Sequence, residues 1–270
     1  MKRNILHLTM ITAASVAALI CIMALMTSES FASTFTFKDV PQGKSYDAFF
    51  GEINDYDVTA YYKIKPTKKG YITFTADYSG YVALCNSKKK VISKGSSTGD
   101  YLSGNSDYPW QRSVSYGVAK GKTYYVRVKG MPVYDSTDAN YWARVKWNNS
   151  KVSPSKCGSS KAKAKAVKRK KTVKGLFVAG SKKAQWFKIT NKQKTTKIYI
   201  NSKKNDGAVK FKIYYKSFNK WYDTTYTLMR SDDYYKNTIT GTISKKIKHT
   251  YYIKVYPDAK TSGYYTIKWK

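Results

Sequence analysis

The feature that most constrains this chain is a strand pair that occurs twice. Thr123-Tyr-Tyr-Val-Arg-Val128 is followed by Trp142-Ala-Arg-Val-Lys-Trp147, and near the end Thr250-Tyr-Tyr-Ile-Lys-Val255 is followed by Tyr264-Tyr-Thr-Ile-Lys-Trp269. Side chains alternate across a strand, so the period-2 pattern sets two faces. Tyr124, Val126 and Val128 share one face, and Tyr125 and Arg127 the other. Tyr251, Ile253 and Val255 oppose Tyr252 and Lys254 in the same phase. In the closing strands Ala143, Val145 and Trp147 correspond to Tyr265, Ile267 and Trp269. One apolar and one Lys/Arg/Tyr face is the pattern of an antiparallel sheet covered on one side. A repeat this long implies two similar domains rather than a solenoid.

The order of the other segments agrees. Trp186-Phe-Lys-Ile189 matches Tyr61-Tyr-Lys-Ile64, and Lys197-Ile-Tyr-Ile200 matches Tyr71-Ile-Thr-Phe74. Short alternating segments separated by turns predict an all-β chain: two tandem jelly-roll-like antiparallel β-sandwiches. The expected domains are 33–147 and 175–270. A Lys-rich flexible linker, 148–174, is expected between them by its Ser, Gly, Pro and Lys content. Residues 1–32 read as a signal peptide. Lys2 and Arg3 precede an apolar run from Leu8 to Met26, and Ser30-Phe31-Ala32 offers a cleavage site after Ala32. That run is close to the roughly 20 residues that span a bilayer, so an uncleaved membrane anchor is the alternative.

Charge narrows the function. The chain has 50 Lys+Arg against 16 Asp+Glu, a formal charge of +34. No Asp or Glu occurs from Ala139 to Asn205, a span holding 20 Lys+Arg. Such an excess attracts polyanions through counterion release. The residues expected to bind one are Lys161, Lys163, Lys165, Lys168, Arg169, Lys170 and Lys171 of the linker. Tyr125, Trp142, Tyr252 and Tyr264 share phase with cations and are expected as an aromatic surface able to stack on sugars or bases. Tyr124, Tyr251, Trp147 and Trp269 are expected in the core.

Catalysis finds little support. His249 is the one histidine after residue 32, and a general acid or base needs partners. No grouped His/Cys spacing for zinc occurs. Glu52, Asp55 and Asp57 form an acidic cluster that reads as a polar loop, calcium being the competing reading. No metal site and no cofactor is assigned. Cys85 and Cys157 either pair or stay free.

Gly121-Lys-Thr-Tyr-Tyr-Val-Arg-Val-Lys-Gly130, a variable loop and Tyr141-Trp-Ala-Arg-Val145 resemble the ending of the bacterial pre-peptidase C-terminal domain. Asp55-Tyr-Asp57 and Tyr61-Tyr-Lys-Ile64 are similar to that family's acidic and aromatic start. The resemblance covers 40–147, and 175–270 more distantly, where Gly180-Ser-Lys-Lys-Ala-Gln185 replaces the acidic start. It implies a jelly-roll-like appendage of secreted enzymes, with calcium-dependent collagen-binding modules among its relatives. The expected function is a secreted, non-catalytic binding protein at the cell surface or extracellular matrix. Its expected partner is an anionic cell-wall polymer or another extracellular polyanion. A polysaccharide or matrix protein recognised by the aromatics, or a secreted peptidase to which the chain is accessory, are the alternatives.

Overall fold

A computed structural model describes residues 33–53, 58–76, 79–94, 100–102, 113–135, 140–191, 195–205, 209–217, 220–228, 238–242, 249–257 and 260–270. The leader read from residues 1–32, and Asp55 and Asp57 of the acidic cluster, lie outside them. Ser33–Lys270 is a compact unit by itself. Its described residues contain strands and no α-helix, so no described helix is long and apolar enough to cross a membrane.

The first eleven strands are β1 (Thr34–Phe37), β2 (Ser45–Gly51), β3 (Val58–Ile64), β4 (Gly70–Ala76), β5 (Ser79–Cys85), β6 (Val91–Ser93), β7 (Asp100–Leu102), β8 (Val114–Val118), β9 (Tyr124–Met131), β10 (Val133–Asp135) and β11 (Asn140–Lys151). One sheet runs β1-β3-β9-β5-β6, with β7 also on β5; the other runs β10-β11-β4-β8, with β2 on β11. Tyr62, Phe74, Tyr116, Tyr124, Val145 and Trp147 contribute to the core between them. The next nine are β12 (Lys165–Ala166), β13 (Val173–Phe177), β14 (Gln185–Asn191), β15 (Thr195–Asn205), β16 (Val209–Ser217), β17 (Lys220–Leu228), β18 (Thr238–Thr242), β19 (His249–Pro257) and β20 (Gly263–Trp269). Their sheets run β12-β14-β19-β16-β17 and β13-β20-β15-β18. Phe187, Phe211, Ile253, Tyr265 and Trp269 belong to a second core.

Apart from β7 and β10, which have no counterpart, the second order repeats the first. Even the parallel pairing of β1 with β3 has its counterpart in β12 with β14; the other strand pairs are antiparallel. The alternation read from the repeat holds in three dimensions. Tyr124, Val126, Val128, Ala143, Val145 and Trp147 are buried, as are Tyr251, Ile253, Val255, Tyr265, Ile267 and Trp269. Each of these positions is an inward one, so the apolar face of each copy is the face that leaves water.

Residues 148–174 depart from the flexible linker expected. Asn148 to Lys151 continue β11 in register with β4. The rest is a strap bonded to both sandwiches. Val152 N donates to Lys69 O (3.0 Å) and Ser155 N to Lys174 O (2.8 Å). Gly158 and Trp186 exchange two backbone bonds (2.9 and 3.0 Å), and Val167 N donates to Lys188 O (2.8 Å). Val152, Ala164 and Val167 are buried. Three small apolar anchors and a paired backbone are enough to hold a lysine-rich segment, because the lysine heads stay in water. The strap also carries the opening strand of the second sandwich. Trp147 Nε1 donates to Val40 O (3.1 Å), and Trp269 Nε1 donates to Val167 O (2.7 Å). Gly43 N donates to Trp147 O and Lys170 N to Trp269 O, both at 2.8 Å. Gly43 (φ 82°) and Lys170 (φ 60°) both take left-handed backbone at this turn. The second sandwich therefore begins inside the presumed linker, ahead of residue 175.

The two sandwiches are fastened along β8 and at the end of β6. Ala179 N donates to Gly117 O (2.8 Å) and Lys94 N to Lys260 O (2.9 Å). Ser93 Oγ donates to Ser262 Oγ (2.6 Å), and Gly117 N donates to the same hydroxyl oxygen (3.1 Å). Both serines are buried.

Candidate polyanion-binding surface

The strap displays the basic residues singled out above. Lys163, Lys165, Lys168, Arg169, Lys170 and Lys171 are exposed. Lys161 is different: it is half-buried, and its Nζ lies 5.2 Å from the Tyr214 ring centroid and 5.3 Å from that of Tyr252. A cation over a ring face is held by the ring quadrupole.

Those rings belong to the outer face of the sheet containing β14, β19 and β16. Phe187, Ile189, Ile253, Val255, Phe211 and Ile213 take the inward phase. Trp186, Lys188, Tyr252, Lys254 and Tyr214 are left on the other face, half-buried. Trp186 sits opposite Lys254, and Lys188 opposite Tyr252. Trp186 stacks on Tyr214 with centroids 5.5 Å apart. Lys254 Nζ lies 5.7 Å from the Trp186 ring and 5.0 Å from that of Tyr256.

The equivalent sheet of the first sandwich carries the same checkerboard. Tyr61 sits opposite Arg127, and Lys63 opposite Tyr125. Tyr61 and Tyr125 meet edge to face at 6.3 Å. Here the covering cation is Lys89, from the turn after β5, in left-handed backbone (φ 58°). Its Nζ lies 4.6 Å from the Tyr61 ring and 5.7 Å from that of Tyr125, and donates to Thr36 Oγ1 at 2.7 Å. Each half therefore offers rings and cations within a few ångströms of each other, though the capping lysines come from unrelated segments.

Trp142 lies on the other sheet of the first sandwich, opposite Phe49, whose side chain is 68% exposed. Arg144 covers the Trp142 ring at 5.5 Å and donates from Nε to Asp47 Oδ1 at 2.8 Å. That ion pair is open to solvent, so it adds little stability. Tyr264 is half-buried. It stacks on Tyr71, centroids 5.8 Å apart, where the sandwiches meet; burial, with Tyr71 second, raises its phenol pKa. The four expected aromatics thus fall in four separate places. Trp186, Tyr214 and Lys254 were missed, although Trp186 and Lys254 share the outward phase with Tyr252 and could have been read from it. No local signal marks Lys89, whose position depends on a turn.

Among the described residues no three His, Cys, Asp or Glu side chains come together to hold a metal. His249 opens β19 opposite Asn191. Cys85 and Cys157 are both free thiols, the first buried and the second exposed. Burial pushes the Cys85 thiol up from its ordinary 9.0 to about 11, the nearby Arg127 charge pulling weakly the other way. Burial also raises the phenols of Tyr124, Tyr251 and Tyr265. The sign follows from linkage. Below about pH 9 the Cys85 thiol is protonated folded or unfolded and stability does not depend on it. Between about 9 and 11 the unfolded thiol ionises and the folded one does not, so stability falls as pH rises. The raised phenols act in the same direction at higher pH. Urea midpoints of residues 33–270 are expected to decline from about pH 9 upward, and a flat profile to pH 11 would contradict this burial. Under native conditions a thiol reagent should label Cys157 rapidly and Cys85 only after unfolding.

No family model matches this chain, and no curated protein matches it. Among solved structures it is similar to the CUB1-EGF-CUB2 region of human MASP-1/3, at 7% identity over 83% of this chain and 99% of that one, with a TM-score of 0.24. It is also similar to a protein from Eubacterium rectale, at 11% identity over 90% and 79%, with a TM-score of 0.22. An oxalate decarboxylase structure is similar at 6% identity over 85% and 78%, with a TM-score of 0.14. At these TM-scores none of them bears on what this chain binds.

Proposed function

We propose that this is a secreted, non-catalytic binding protein that holds an anionic polymer at the cell surface or in the extracellular matrix. The observation that carries the reading is the strap. Its cations from Lys163 to Lys171 are exposed on a backbone tied down by hydrogen bonds. A fixed backbone loses less conformational freedom on binding than a free tether does, and each cation that meets an anionic group releases a counterion. The pre-peptidase C-terminal resemblance belongs to the same proposal and rests on the motif residues of the first sandwich. The paired aromatic and cationic checkerboards favour one second reading, recognition of a polysaccharide by ring stacking.

Salt separates the two. Residues 33–270 should cosediment with Gram-positive cell walls at low salt, require the walls' anionic polymers, and release steeply as salt rises. Binding indifferent to both salt and polymer would overturn the electrostatic reading and support stacking.

A further inference from the structure

At one end of the first sandwich two turns meet the start of the strap around a cavity of about 450 Å³, within the roughly 300–1,000 Å³ usual for ligand pockets. Lys68 and Lys69 come from the β3–β4 turn, Lys120 from the β8–β9 turn, and Lys151 from the last position of β11. Thr67, Val152, Ser153 and Pro154 complete the lining. The three segments are fastened to one another. Val152 N donates to Lys69 O (3.0 Å) and Gly121 N to Pro66 O (2.8 Å), while Lys68 N donates to Asn149 Oδ1 (2.7 Å). The cavity is therefore built by paired backbone.

Its chemistry is one-sided. Four lysines line it and no carboxylate does. Like charges around one cavity repel, and an anion placed between them converts that repulsion to attraction. Ammonium heads on flexible stems suit phosphate oxygens as point charges. Thr67 and Ser153 add hydroxyls, and Val152 with Pro154 an apolar floor. No aromatic ring lines the cavity, so the base stacking that typifies single-stranded nucleic-acid sites is missing. We infer that this pocket grips a phosphodiester-linked polyol, lysines on the phosphates, hydroxyls on the polyol, and the apolar floor against its carbons. The inference rests on the proposed function and adds to the strap a second site, which takes a short run of the polymer and sets the ligand class.

A short glycerol-phosphate oligomer is the probe, titrated into residues 33–270 with amide shifts and affinity as readouts. Two variants remove equal charge: Lys69→Gln/Lys120→Gln/Lys151→Gln in the pocket, and Lys168→Gln/Arg169→Gln/Lys171→Gln on the strap. All six side chains are exposed, and unchanged melting temperatures would verify that both variants fold. The pocket variant should lose about 100-fold in affinity near 0.1 M salt and the strap variant only about threefold, because direct phosphate contacts dominate. Amides of Lys68 and Val152 should shift on titration. Equal losses in the two variants, or no shift at those amides, would overturn the pocket even where wall binding stands. A pocket that responds in a protein that fails to bind walls would keep the site and sink the wall reading. Oligothymidylate of equal phosphate number binding more tightly through the same lysines would overturn the polyol assignment.

Discussion

Replacing Gly117 by alanine should cost about 4 kcal/mol, and the melting temperature of residues 33–270 should fall by about 10 °C. At Gly117 an added Cβ would lie 1.9 Å from the carbonyl oxygen of Phe177 and 3.0 Å from the amide nitrogen of Gly263. Both are backbone atoms and cannot swing aside as the end of a side chain would. Strand β8 would have to move away from the second sandwich. That movement breaks the Ala179 N–Gly117 O bond and pulls the Gly117 amide from Ser262 Oγ. Ser262 is buried, and a buried hydroxyl that loses a partner costs about 1–3 kcal/mol. Scanning calorimetry is the test. A melting temperature within a degree or two of the parent would show that the halves do not meet at β8 as described.

Trp269→Ala is the second large effect, about 4 kcal/mol from the lost ring and the cavity it leaves. Trp269 is 4% exposed and lies in the second core, so its removal acts on packing first. It also removes the indole donor to Val167 O, one of the bonds that ties the strap to the sandwich. The expected consequence is local: trypsin should cut between Lys163 and Lys171 at least about tenfold faster, because the strap opens more often. Trp269→Phe separates the two contributions. It keeps most of the ring but leaves the Val167 carbonyl without its indole donor, at about 1–3 kcal/mol. If the phenylalanine variant resists trypsin like the parent, the indole bond is not what holds the strap.

The repeat was legible because it is local. Tyr124, Val126 and Val128 turn inward and Tyr125 and Arg127 outward by the pleat alone, and the same holds for Tyr251 to Val255. Pattern therefore located the core strands of both copies, the buried Trp147 and Trp269, and the outward cations. What misled was composition. Lys161-Ala-Lys-Ala-Lys-Ala-Val167 reads as a tether, yet lysine side chains say nothing about where backbone amides go, and the strap from 152 to 171 buries only three small apolar anchors, Val152, Ala164 and Val167. The short β12 leaves too few residues for any period to register.

The sequence by itself determined the all-β class, the inward face of each repeated strand and the excess of positive charge, all properties of neighbouring residues or of totals. Only the tertiary structure decided that the strap bonds to both sandwiches and opens the second, that Tyr264 stacks on Tyr71, that Lys89 and Lys161 cap equivalent faces, and that Lys68, Lys69, Lys120 and Lys151 share one cavity. Each of these depends on backbone hydrogen bonds or close approaches between residues far apart in the chain. A period-2 pattern carries no information about such pairings, because it reports which side of a strand a residue occupies and not which strand lies beside it.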